Sequence, residues 1–277
     1  MPLTRRLILG IGHRPKVRRQ VTQGAGRRVA RRFVAGETLD DAVAVARRLN
    51  DAGFLVSLDA LGEAVTDATQ AEAASELYLQ TLERIRSSGL RSEISVKPTQ
   101  LGLMIDRDLC RRNLEKIVAA AVEAGTTVTI DMEDHTTTER TIEMACDLAR
   151  AYPDKVGVAL QAYLHRSRED LRRLLEARVR IRLCKGAYKE PKSVAMRKRE
   201  QISASFAALA TRLLEGPSYA MIATHDESLV RIVEREVKAR NLAGERFEFQ
   251  MLYGVRRKLQ KQLLERGHRV RIYVPFG

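Results

Sequence analysis

Apolar and polar residues alternate at period two in a series of short runs along the chain, and longer stretches of helical period separate the runs. The runs are "FLVSLD", "EISVKP", "TTVTIDM", "VGVALQ", "RIRLCK", "YAMIAT", "FEFQML" and "VRIYVP", eight in all. Between them lie amphipathic segments such as Ala71–Ser88, Arg107–Ala124 and Ser193–Leu214. Ahead of the first run, "TLDDAVAVARRLNDAG" reads as a capped helix, with Thr38 before Asp40 and Asp41 and Gly53 at its end. From Leu58 to Val274 is 216 residues over seven intervals, about 31 each, which is the length of a βα unit. Eight such units predict an α/β fold of the (βα)8 barrel type. An open doubly wound sheet is the runner-up, but no Gly-x-Gly-x-x-Gly follows any run.

Strand side chains alternate faces, so each run also predicts an inside and an outside. In six runs the polar or small parity is Ser57 and Asp59, Ser95 and Lys97, Thr127 with Thr129 and Asp131, Gly157 with Ala159 and Gln161, Glu248 and Gln250, and Arg271 and Tyr273. The fifth run offers Arg180 and Arg182, and the sixth ends at Thr224 before His225. A barrel interior this polar needs a ligand, water or ion pairs to satisfy it. The strand ends carry Asp59, Lys97, Asp131, Gln161, Arg182 with Lys185, Thr224 with His225, Gln250 and Tyr273. Barrels of this type place their sites at that end, so a ligand site is expected there. The stretch "RLCKGAYKE", Arg182 to Glu190, ends a strand in two cations, a glycine and a tyrosine, which suits an anionic, flat ligand.

Charge and cysteine usage narrow the setting. The net charge of +14 is concentrated near the start, where residues 1–48 hold 12 Arg/Lys against 3 acids, a net of +9. Residues 1–37 are therefore read as a basic helical arm and 38–277 as the barrel. Such an arm fits a solvated surface or an anionic membrane. Only Phe33 is interleaved, which speaks against single-stranded nucleic acid. Cys110, Cys146 and Cys184 are odd in number and widely spaced, so no metal or disulfide framework is expected and a reducing, cytoplasmic setting fits. "LILGIG" is too short for a signal core or a span.

Three kinds of chemistry compete at the strand ends. A metal hydrolase needs clustered ligands, and the five histidines are dispersed. His135 in "DMEDHTTTER" reads as a loop or capping residue. A Schiff-base lyase would use Lys97 or Lys185, each needing a dry pocket to lower its pKa. A phosphosugar isomerase would want a glycine-rich phosphate loop after the seventh and eighth strands, and "YGVRRK" has one glycine.

The motifs "LDALGE", "SVKPTQLG", "VALQAYL", "RLCKGAY", "ATHD", "FEFQMLYG" and "RIYVPFG" together resemble the proline dehydrogenase family in its short bacterial form, over about residues 30–277. The resemblance implies a distorted (βα)8 barrel that binds FAD without a Rossmann fold. It implies oxidation of L-proline to Δ1-pyrroline-5-carboxylate, with electrons passed to a membrane quinone. It places Arg182 near the reactive part of the isoalloxazine, where a cation stabilises the reduced ring. Lys185 with the Gly186 and Ala187 backbone would follow the ribityl and phosphate path, and Gln161 would hydrogen-bond the flavin. Thr224, His225 and Gln250 would hold the rest of the cofactor, and Cys184 would pack beside it without a redox role. Lys97 would meet the substrate carboxylate, Tyr188 would wall the pocket, and Leu252 and Tyr273 would pack on the pyrrolidine ring. Asp131 would orient Tyr273 or its polar neighbours, and Glu63 matches an acid that closes the site by pairing with an arginine. In the family a further helix, bearing paired arginines that grip the carboxylate, follows the eighth strand. The sequence given stops at "VPFG". The expectation is therefore a barrel lacking that helix, walled by Thr38–Asn50, that binds FAD and handles proline poorly. A non-catalytic FAD-binding scaffold and a lysine-dependent lyase stay open as alternatives.

Overall fold

The computed structural model describes residues 32–62 and 65–277. Eight strands form a closed parallel barrel in chain order: β1 Leu55–Ala60, β2 Ser92–Val96, β3 Val128–Ile130, β4 Val156–Gln161, β5 Arg180–Cys184, β6 Ala220–Ala223, β7 Phe247–Leu252 and β8 Val270–Phe276. All eight predicted runs are strands. Closure comes from β8 lying parallel to β1, with Ser57 beside Tyr273 and Asp59 beside Pro275.

The outward parity builds the core. Val56, Leu58, Ile94, Val96, Val128, Ile130, Val158, Leu160, Ile181, Leu183, Ile272 and Val274 are all essentially inaccessible, packed under the helices. Helix α1, Leu39–Asp51, lies against β8 and β1 and supplies the wall between them. Its start is fixed locally: Thr38 Oγ1 accepts from Asp41 N at 3.2 Å, and the Asp41 carboxylate accepts from Thr38 N at 3.0 Å. The barrel thus closes with the early helix as a wall across β8 and β1, as the family resemblance implied. Ahead of it, Ala35 N donates to Pro275 O at 2.8 Å, so the chain is already bonded to β8 before α1 begins. The rest of the expected basic arm lies outside the described residues, and so does Glu63. Among the described residues no helix is long and apolar enough to cross a membrane.

One helix differs from its pattern. The segment expected to be helical from Ser193 begins its helix only at Arg199 and runs to Glu215. Residues before it are diverted into tertiary pairing: His165 N donates to Val194 O, Met196 N donates to Tyr163 O, and Leu164 bridges Ala195. Backbone bonds to the loop after β4 outweigh a modest helical preference. The connection from Lys185 to Lys198 is consequently long and lies at the C-terminal end of the barrel.

Candidate functional site

Side chains from β1, β2, β3, β5 and β8 converge at this end. Lys97, just after β2, forms a close ion pair with Asp59 of β1 and sits 3.6 Å from Asp131 Oδ2. Asp131, just after β3, accepts at Oδ1 from Arg182 Nη1 at 2.7 Å and Ser95 Oγ at 2.8 Å. Its Oδ2 accepts from the Tyr273 hydroxyl at 2.8 Å. The Arg182 guanidinium lies 5.2 Å from the centre of the Tyr273 ring. The expected pairing of Asp131 with Tyr273 is therefore present, and Asp131 also ties Lys97 and Arg182 into one cluster.

Burial and charge set the protonation of this cluster. Burial pulls the Asp131 carboxyl up, but Lys97, Arg182 and the hydrogen bonds from Tyr273 and Ser95 outweigh it and hold it below the usual carboxylate range. Burial pulls the Lys97 ammonium down, yet Asp59, Tyr273 and Asp131 keep it charged well above its usual range. Burial pushes Asp59 up, with Lys97 opposing. A Schiff base needs a neutral amine, so Lys97 is poorly placed as a lyase nucleophile. Burial, then Asp131 and Asp59, pushes the Tyr273 phenol well up, so it stays a neutral donor.

The loop after β5 is pinned at several points. Lys185 Nζ meets Asp226 Oδ2 at 2.8 Å and Ser203 Oγ at 3.1 Å. Gly186 sits at φ +109°, and a Cβ there would come within 2.2 Å of the Tyr163 ring, so only glycine fits. Gln161 accepts from Ala187 N at 3.2 Å and donates from Nε2 to Glu133 O at 2.8 Å, joining three loops. Tyr188 is half-buried and its backbone oxygen accepts from Tyr163. Its phenol is pushed up by burial and by Glu133. Cys184 is a thiol raised to about 11, mainly by burial, which fits a packing role. His135 is a loop residue, as read, but it pairs closely with buried Glu190 and donates its backbone N–H to that carboxylate at 2.9 Å. That latch between the loops after β3 and β5 was not foreseen.

On the far side, His225 Nε2 accepts from Leu252 N at 2.9 Å, and burial followed by Arg256 lowers it to about 4. It is neutral and its Nε2 is occupied. Thr224 Oγ1 accepts from Asp226 N at 3.1 Å in the turn after β6. Leu252 is half-buried beside Tyr273 in the register of β7 with β8.

Below the cluster the interior is filled by ions rather than aliphatic layers. Gln250 accepts from Arg182 Nε at 2.6 Å and donates to Glu248 Oε1 at 2.7 Å. Glu248 forms two bonds to Arg271, 2.6 Å and 3.1 Å. Glu93, 1 % exposed, accepts from Ser57, Thr127 and Thr129 and approaches Arg182 at 3.3 Å. Glu93 was missed as a functional candidate, although it shares the inward parity of Ser95 and Lys97 in its run.

The model of the family described as Proline dehydrogenase matches residues 42–277. The chain belongs to the proline dehydrogenase family. It is 36% identical over 248 residues to Proline dehydrogenase 1 of Bacillus subtilis (strain 168), spanning 90% of this chain and 82% of that relative. It is 36% identical over 279 residues to Proline dehydrogenase of Deinococcus radiodurans, spanning 99% and 90%. Among solved structures, proline utilization A (PutA) from Bdellovibrio bacteriovorus inactivated by N-propargylglycine superimposes with a TM-score of 0.84 over 91% of this chain. At 24% identity that likeness concerns the fold, and this chain spans 31% of that protein's length.

Proposed function

We propose that this protein oxidises L-proline to Δ1-pyrroline-5-carboxylate with FAD as its resident cofactor and passes the electrons to a quinone. The observation that carries the reading is the cluster of Lys97, Asp131, Arg182 and Tyr273 at the strand ends, in a chain of this family. The donor set there suits a flavin. Arg182 and Gln250 offer a fixed cation and an amide for the ring, Lys185 offers a cation for phosphate, and Gly186 and Ala187 offer backbone free of bulk. Gln161, Thr224 and neutral His225 supply further polar contacts, and Cys184 packs without competing chemistry. Bound FAD supplies a two-electron acceptor for the hydride of the substrate ring carbon.

The protein's own work is position and electrostatics. Lys97 carries three N–H groups, and its ties to Asp59 and Asp131 leave capacity for the substrate carboxylate. Because Lys97 and Arg182 are both charged, an anionic substrate enters a site already balanced by Asp59 and Asp131. Tyr273, held by Asp131, and Leu252 present ring and aliphatic surface to the pyrrolidine, and Tyr188 walls the opposite side and excludes water. No nucleophile–base pair is required, since the substrate amine reacts in its neutral form. The protein acts in the cytoplasm, and the basic segment before the barrel meets the anionic inner face of the membrane where quinone resides.

The test is an anaerobic titration of the FAD-loaded protein with L-proline while the flavin absorbance is followed. Bleaching on addition of proline is the expected result. A yellow protein that stays oxidised would leave a non-catalytic flavin binder, and a colourless one would return the question to lysine chemistry.

A further inference from the structure

We infer that Glu93, on the floor of the barrel, sets the electron affinity of the site by holding down the charge of Arg182. The inference rests on the flavin-dependent reading above. All five N–H groups of Arg182 are engaged: Nε by Gln250 at 2.6 Å, Nη1 by Ser95 and Asp131 at 2.7 Å each, and Nη2 by Ser57 at 3.2 Å and Glu93 at 3.3 Å. A guanidinium so held cannot turn, and its effective charge is fixed by the two acids it touches.

Those acids differ. Asp131 stands at the mouth and divides its charge among Arg182, Lys97 and Tyr273, so its pull on Arg182 changes with whatever occupies the mouth. Glu93 is fully buried, and its remaining hydrogen-bond partners are the neutral hydroxyls of Ser57, Thr127 and Thr129. The other cation near it, Arg271, is 3.8 Å away and bonded twice to Glu248. Glu93 is therefore the constant counter-charge of Arg182, and Asp131 the variable one. In a low-dielectric interior a constant negative charge beneath the cation disfavours the more electron-rich state of a cofactor above it. Glu93 is sealed from the mouth of the site and bonded to Arg182. It is a positioning residue that acts through Arg182.

The experiment is equilibration of the FAD-loaded full chain with reference dyes to read its reduction potential. Glu93→Gln keeps the shape and removes the charge. It is expected to move the equilibrium about tenfold toward the reduced form, the scale of one screened buried charge. Glu93→Asp keeps the charge and should stay within about threefold of wild type on the same electrostatic argument. Equal shifts in both variants, or no shift or a reverse shift in Glu93→Gln, overturns the inference. Should Glu93→Gln fail to fold, Thr129→Val decides. It removes one hydroxyl donor that screens the Glu93 charge, so a shift away from the reduced form supports the inference and an unchanged potential overturns it. A wild-type chain that takes up no FAD defeats the flavin reading and this inference together. A loaded wild type that proline reduces, with variants of unchanged potential, defeats this inference alone.

Discussion

Tyr273 shows how much one hydroxyl orders at the site. Its O–H is the donor to Asp131 Oδ2, and the other oxygen of Asp131 faces Arg182. Tyr273→Phe leaves the ring in place and half-empties that carboxylate. A loss of about 1–2 kcal/mol in urea unfolding is expected, the usual cost of a buried acceptor losing a partner. The kcat/KM for proline should fall about tenfold, as Asp131 then competes for Lys97. His225 gives a pH signature. Its folded-state value is lowered to about 4 from the ordinary 6.5, by burial and by Arg256. As pH falls the unfolded chain is protonated first, so stability is full above about pH 6.5 and is lost between there and pH 4. Urea unfolding should show a loss of up to roughly 3 kcal/mol over that window that His225→Gln lacks. Parity within the runs told which residues face inward, and so Asp131, Arg182 and Tyr273 were legible before their contacts were known. The bond from Asp226 N to Thr224 was not, because it forms within the turn after β6 and not along a strand face. Glu93 was legible by parity but overlooked, since its partners lie 34 to 89 residues away and no local pattern reports them.

At the scale of elements, the loop after β5 is the part most sensitive to change. Gly186 has a left-handed backbone and no room for a Cβ beside Tyr163. Gly186→Ala should cost about 1–3 kcal/mol in strain and displace Lys185 and Ala187 from their partners. Flavin content of the purified protein, by absorbance ratio, is expected to drop while far-ultraviolet circular dichroism stays barrel-like. Helices elsewhere in the barrel were read to within a few residues, as at Thr38, whose box with Asp41 caps the helix that the pattern implied. The helix starts only at Arg199, because the period-3.6 pattern from Ser193 runs through residues whose backbone groups bond elsewhere: Met196 N donates to Tyr163 O, Val194 O accepts from His165 N, and the Val194 and Ala195 amides donate to Pro191 O. Local sequence carries no record of such a claim. The latch of His135 with Glu190 belongs to the same class of contact, formed across loops that only the closed barrel brings together.

For the whole molecule, the decisive feature is a barrel packed with aliphatic side chains outside and with ions inside. The outer half followed from composition and period alone. The inner half followed only as a requirement for partners, and the choice of ion pairs over water or ligand depended on which layers meet across the barrel. Arg271 lies opposite Gln250 in the register of β7 with β8, its side chain reaches diagonally to Glu248, and both charged groups are buried. Arg271→Met alone should destabilise by about 3–5 kcal/mol, because it strands a buried carboxylate, whereas Arg271→Met with Glu248→Leu should recover most of that loss. Chemical denaturation of the two variants side by side checks the sign of the coupling. The ionic filling also bears on how the fold answers temperature. Polar surface released on unfolding lowers the heat capacity change while apolar surface raises it, so this barrel should unfold with a value below the usual ~12–15 cal/mol/K per residue. Its stability curve is then broad and shallow, and because the cost of dehydrating charges declines on warming, the barrel's centre loses less on heating than its helical jacket does. Differential scanning calorimetry at several pH values measures that slope directly.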